Sequence, residues 1–156
     1  MGAPPDRDVE RIVLAQVMLP TDANGQGNVH GGTLMKLADT AGAIAAMRHA
    51  GRRVVTAMMD SMTFQYPVSV GDLVVLDARV SWVGRTSLEV EVSIDAEEIV
   101  SGVRHRTSTA FFVYVALDDA GTPGPVPPLE PRTTDERARF AAAEERRRFR
   151  LAQRQR

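Results

Sequence analysis

Thr33–Ala50, TLMKLADTAGAIAAMRHA, is the stretch from which the fold can be read. It is rich in Ala, Leu and Met, contains no proline, and stops at Gly51, the residue type that ends helices in a left-handed turn. The stretch is therefore a helix. It is apolar almost all round, which predicts burial on most of its sides. Lys36, Asp39 and Arg48 interrupt it, so it falls short of the ~20 apolar residues of a membrane span.

What covers this helix lies on either side of it. Residues 9–19 (VERIVLAQVML) are strand-like, and Pro20–Gly32 (PTDANGQGNVHGG) is a loop dense in Asn, Gly and Asp. Four strand-like stretches follow, over about 53–66, 72–83, 86–97 and 103–117. In the third, Leu88, Val90, Val92 and Ile94 alternate with Glu89, Glu91, Ser93 and Asp95. One face of that strand is expected to be buried and the other wet, as in an antiparallel sheet covered on a single side. Val74, Leu76, Ala78, Val80 and Trp82 alternate likewise, and Gly71-Asp72 and Gly84-Arg85 are turn signals. The fold class is α+β: one long antiparallel sheet wrapped around a single central helix. A lone copy would leave sheet edges and apolar surface exposed, so an oligomer is expected.

The 156 residues suit one domain and carry a net charge of −1, which argues against a general nucleic-acid or anionic-membrane binder. There are no cysteines, which excludes disulfide scaffolds, thiolate metal sites and Cys nucleophiles and fits a reducing, cytoplasmic setting. Met1–Asp6 has neither the basic nor the apolar segment of a signal peptide. The organisation expected is a flexible arm at 1–8, the sheet-and-helix domain at 9–120, and a tail at 121–156. The tail opens with a proline-rich connector, Gly121–Pro131, that forbids helix. Thr133 to Glu136 is a capping box that starts a C-terminal helix. Residues 132–156 hold nine arginines against four acidic residues, so a basic tail follows an acidic body. A thin apolar stripe of Phe140, Ala143 and Leu151 reads as a solvated helix docked on its own or a neighbouring subunit; contact with RNA or phosphate is the alternative.

Three polar features stand out. Gly31-Gly32 opens the helix, where N–H groups lack internal partners and the helix dipole is positive, so a carbonyl oxygen gaining negative charge would be stabilised there. The plainer reading is a sharp loop-to-helix turn. Asp39, amid Leu37, Ala38 and Ala41, is either a general base or nucleophile, or merely the ion-pair partner of Lys36 one turn back. Asn24 is a turn residue, or an amide that orients water or polarises a carbonyl across a subunit boundary. No serine lies in a GxSxG elbow, and the glycines fit neither a phosphate loop nor a dinucleotide fingerprint. His30, His49 and His105 lack metal-ligand spacing; His49 reads as a partner of the helix dipole and His105 as a surface residue.

Met18–Asn24, Gly27–Gly32 and Met35–Gly42, followed by Val55-Thr56-Ala57 with Phe64, Thr86–Glu89 and Ala110–Val115, closely resemble the cytosolic acyl-CoA thioester hydrolases of the hotdog fold. The resemblance implies a helix wrapped by an antiparallel sheet, and dimers that share a continuous sheet, commonly assembled as trimers of dimers. It implies an active site at the dimer interface, with the carboxylate of Asp39 and the amide of Asn24 supplied by different protomers. Gly31 and Gly32 would hold the carbonyl oxygen. CoA contacts carried over by position fall on Ala57, Met58 and Met59 in one strand and on Thr86, Ser87 and Leu88 in another. His30 receives no catalytic role. The substrate implied is acyl-CoA, with no metal, no other cofactor, no nucleic acid and no membrane partner. An enoyl-CoA hydratase or dehydratase of the same fold, or a non-catalytic acyl-CoA sensor, are the rival readings.

Overall fold

Alternation, broken at a few register shifts, organises the sheet. The computed structural model describes residues 11–155; the flexible arm expected at 1–8 lies outside them. The strands are β1 (Arg11–Val17), β2 (Val54–Phe64), β3 (Leu73–Val83), β4 (Ser87–Glu97) and β5 (Arg104–Ala116). They form one antiparallel sheet in the order β1-β3-β4-β5-β2, which leaves β1 and β2 as edges. The helix α1 (Gly31–Ala50) lies across one face. It begins two residues earlier than the composition predicts, because His30 caps it and lets both glycines join the first turn. It ends as predicted, at Gly51 in the left-handed region (φ 67°).

Leu34, Ala38, Ala41, Gly42 and Ala45 recur at helical spacing on the sheet side of α1. They pack on Leu76, Val90, Val92, Phe112 and Tyr114. The small residues bring the helix axis close to the sheet, where large ones would hold it off. Burial on most sides is not observed in the single chain, because nothing among the described residues covers the outer side of α1. Met47 there is 39% exposed, and on the edge strand β2 so are Val55 (46%), Met59 (38%) and Phe64 (51%). Sheet edges and apolar surface are thus open in one copy, as expected.

The opposite sheet face is not simply wet. Helix α2 (Thr134–Arg154) crosses it, started by the predicted capping box: Thr133 Oγ1 accepts from Glu136 N at 3.1 Å, and Glu136 Oε2 accepts from Thr133 N at 3.1 Å. Glu89, which alternation assigns to solvent, is completely buried beneath it. Its carboxylate accepts from Arg146 at 2.7 Å, Arg150 at 2.9 Å and Ser81 Oγ at 2.8 Å. The buried anion is tolerable because three donors replace its water. Ala143 is the one buried residue of α2, so the helix is held by arginines more than by apolar area. The connector before it is strapped down by Val126, whose N–H reaches Arg85 O at 3.0 Å. His49, in the last turn of α1, is buried with Nε2 2.9 Å from the Pro127 carbonyl oxygen. His105 is exposed as expected, beside the Tyr66 ring.

Candidate active site

Asp39 projects from the middle of α1 toward the start of β2, and its partners are not the one helical spacing suggests. Among the described residues no ion pair joins it to Lys36. Instead Thr56 Oγ1 donates to Asp39 Oδ1 at 2.8 Å, and the Tyr114 hydroxyl donates to the same oxygen at 3.0 Å. Tyr114 also donates to the main-chain oxygen of Asp39 at 3.0 Å. Its ring is wholly buried. Gly42, one turn beyond Asp39, makes room for it, since a Cβ there would fall on the Tyr114 hydroxyl. Burial, then the negative charge and hydrogen bond of Asp39, push the Tyr114 hydroxyl far above its ordinary pKa. Tyr114 therefore stays a donor at neutral pH. With two hydroxyls fixed on Oδ1, Oδ2 is the oxygen left without a partner among the described residues.

An irregularity in β2 makes this possible. The register with β5 shifts between Thr56 and Met58 and again between Met59 and Ser61. Plain alternation would place Thr56 and Asp60 on one face. The first shift instead turns Thr56 toward α1 and Asp60 toward α2, where Arg150 holds it at 3.0 Å. Met59 pairs with Phe112 on the α1 side, while Met58 pairs with Val113 on the α2 side.

The loop before α1 is built on Asn24. Its Oδ1 accepts from Gln26 N at 2.9 Å and Asn28 N at 3.3 Å, so the turn role is real. Two backbone donors on one atom also fix which end of the amide is oxygen. The Nδ2 end makes no hydrogen bond among the described residues and is left as a pair of donors. At the helix start, Gly32 N donates to His30 Nδ1 at 2.9 Å, and a Cβ on Gly32 would crowd that nitrogen at 3.0 Å. Gly31 N has no partner among the described residues, and the Phe64 ring lies 3.5 Å from where its Cβ would be. Of the two glycine N–H groups, Gly31 is the open one.

The protomer does not bring these parts to one point. Eight residues of α1 separate Gly31 from Asp39, about 12 Å along the axis. Asn24 and Asp39 share no hydrogen bond. Among the strand positions named for CoA, Ala57, Met58 and Ser87 line one groove on the α2 face with Trp82, Arg147, Arg150 and Arg154. Leu88 is a core side chain, and the carbonyl of Thr86 is taken by Ala116 N at 2.9 Å.

Sequence reasoning missed Tyr114 and the role of Thr56. Tyr114 sits in the apolar phase of β5, so periodicity marks it as core and says nothing of its hydroxyl. The free hint was Gly42, a glycine in mid-helix that costs stability unless something needs its space.

Comparison with known proteins identifies the family and the fold. The thioesterase superfamily model matches residues 26–103. The acyl-CoA thioester hydrolase YkhA of Bacillus subtilis, itself uncharacterised, is 40% identical over 126 residues, 81% of this chain and 73% of that one. The cytosolic acyl coenzyme A thioester hydrolase of Mus musculus is 40% identical over 129 residues, but the chain spans only 34% of its length. An apo-hexameric acyl-CoA thioesterase superposes with a TM-score of 0.88 at 36% identity, covering 92% of both chains. The acyl-CoA hydrolase of Staphylococcus aureus, solved with butyryl coenzyme A and coenzyme A, gives 0.86 at 35% identity, covering 92% of this chain and 88% of that one. That hydrolase has also been solved as three single alanine variants, of an asparagine, an aspartate and a threonine. These lie fifteen and then seventeen residues apart, the spacings of Asn24, Asp39 and Thr56.

Proposed function

Since the chain belongs to the thioesterase superfamily, we propose that it hydrolyses acyl-CoA thioesters to free CoA and a carboxylic acid. The observation that carries this reading is the half-engaged carboxylate of Asp39. Thr56 and Tyr114 hold Oδ1, so Oδ2 faces the substrate with a defined direction. Oδ2 takes a proton from water, and the water oxygen adds to the thioester carbon. The oxygen of the tetrahedral intermediate is held by Gly31 N–H, the open one of the two glycine N–H groups, since Gly32 N–H is taken by His30. Collapse breaks the carbon–sulfur bond, and the proton passes to the CoA thiolate. Direct attack by Oδ2, giving a mixed anhydride that water then cleaves, uses the same atoms. Nδ2 of Asn24 orients the water or the carbonyl. Neither route calls on a metal or a further cofactor.

The 12 Å between Gly31 and Asp39 means that one protomer cannot serve one carbonyl with both. A second copy, packed on the exposed side of α1 and the β2 edge, supplies Asn24 and Gly31 opposite the first copy's Asp39. The hexameric relative supports a homo-oligomer, and we take a trimer of such dimers as the assembly. A cytoplasmic location fits the cytosolic mouse relative, and among the described residues no helix is long and apolar enough to cross a membrane. The test is thiol release from acyl-CoAs running from acetyl to palmitoyl, with enoyl-CoA hydration assayed alongside. Thiol release that disappears in Asp39→Ala supports the reading; hydration without thiol release replaces it with the hydratase.

A further inference from the structure

The mechanism leaves α2 without a task, yet one of its arginines reaches back to the strand that holds Asp39. Two residues of β2, Ala57 and Asp60, have no partner in the register with β5. Thr56 pairs with Tyr114 and Met58 with Val113; then Met59 pairs with Phe112 and Ser61 with Phe111. Both extra residues are bulges, and within one protomer only β5 sets the register of this edge strand. Backbone pairing alone would let an extra residue sit one position along. Moving the first bulge one position toward the start of β2 would put Ala57 opposite Tyr114 and turn Thr56 away from α1. Asp39 would then lose the Thr56 hydroxyl that now donates to it at 2.8 Å.

Side chains hold the bulged stretch from both faces. On the α1 face Thr56 is tied to Asp39. On the α2 face Arg150 Nη1 donates to Asp60 Oδ2 at 3.0 Å and to Glu89 Oε2 at 2.9 Å. The Arg150 side chain is 10% exposed, that of Asp60 20%, and that of Glu89 not at all. Water and salt screen such a cluster much less than a surface pair. One guanidinium thus fastens the second bulge of β2 to the inner strand β4. We infer that Asp60, through Arg150, is a positioning residue for Asp39: their ion pair keeps both bulges in place and so keeps the Thr56 hydroxyl on the carboxylate. Helix α2 is the element that carries this clamp. Its effect on turnover rests on the hydrolase reading above.

The test changes Asp60, because Arg150 also holds Glu89 and borders the groove of Ala57, Met58 and Ser87, which Asp60 does not line. In Asp60→Ala, kcat for thiol release should fall about three- to tenfold with KM nearly unchanged, the upper end being about what one hydrogen bond to a charged group contributes. Thr56→Val should lose about tenfold by itself, and adding Asp60→Ala to it should cost less than about twofold more, since both changes act on one contact. Arg146→Gln loosens the Glu89 anchor without touching β2, so it should lower the urea midpoint and keep kcat. Hydrogen exchange of the full chain without ligand, read by mass spectrometry, follows the strand independently of turnover. Amides of residues 56–61 should exchange faster in Asp60→Ala and not in Arg146→Gln, while β3 and β4 stay protected in both. Losses that multiply in the double variant, wild-type kcat in Asp60→Ala, or unchanged exchange in β2 would each overturn the inference. A wild-type protein that releases no thiol would instead overturn the hydrolase reading, and the exchange comparison would still decide whether the clamp exists.

Discussion

Tyr114→Phe removes one oxygen and nothing else, which makes it the cleanest probe of how Asp39 is held. The hydroxyl donates to Asp39 Oδ1 and to its main-chain oxygen, both at 3.0 Å. The main-chain oxygen already accepts within the helix, so the bond that matters is the one to the carboxylate. A hydrogen bond to a charged group contributes about 1.5–3 kcal/mol. Thr56 remains at 2.8 Å, so the lower end applies. If that energy is expressed in the transition state, kcat falls about tenfold. KM should change little, because the ring stays in the core and the substrate does not touch it. Folding stability, read from the urea midpoint, should drop by no more than about 1.5 kcal/mol, because Phe fills the same space. Steady-state thiol release, with the urea titration beside it, gives every quantity. A variant with wild-type kcat would refute the positioning argument. So would a kcat loss that merely tracks the fraction unfolded.

Four further outcomes are expected. Asp39→Ala should lose at least ~10²-fold in turnover while still binding CoA, measured by thiol release and calorimetry. Gly42→Ala puts a methyl onto the Tyr114 hydroxyl; overpacking should cost about 1–3 kcal/mol in the denaturant midpoint, with kcat falling as Tyr114 is displaced. Glu89→Ala strands Arg146 and leaves Arg150 with Asp60 alone; the two side chains keep 23% and 10% exposure. Losing the partner of a fully buried pair costs about 3–5 kcal/mol, and this residual hydration reduces it to about 2–4; limited proteolysis should show α2 released first. For Asp77, burial alone would raise the pKa, but hydrogen bonds and charge from Arg11 and Arg79 outweigh it and hold the carboxyl below its ordinary range. A depressed folded pKa means stability that is present above the unfolded value and lost as pH falls through the folded one. Asp77→Asn should therefore be less stable than wild type near neutrality, with the difference shrinking on acidification below about pH 4; a gap that persisted at pH 2 would contradict the pairing.

The chain order of strand, helix and four strands was open to reading because each element carries its own period, and caps at Gly51 and Thr133 mark where two of them end or begin. The candidate residues were legible as types in places: an acid in an apolar helix, an amide in a glycine loop, two glycines at a helix start. Which alternative each one takes was not. Asn24 proves to be both a turn residue and an amide with free donors. Gly32 proves to be capped, and Gly31 open.

Local periodicity is a property of neighbours in the chain, and it determined the secondary structure and, outside the shifted stretch of β2, the face of each strand that meets the core. Whether Glu89 is wet or buried depends on a helix starting forty-five residues later. Whether Asp39 pairs with Lys36 or with Thr56 and Tyr114 depends on a register shift in one strand and on a gap left by Gly42. Those contacts form between residues far apart in the chain. Only the packed fold, which brings their polar atoms out of water and face to face, decides which of them become partners.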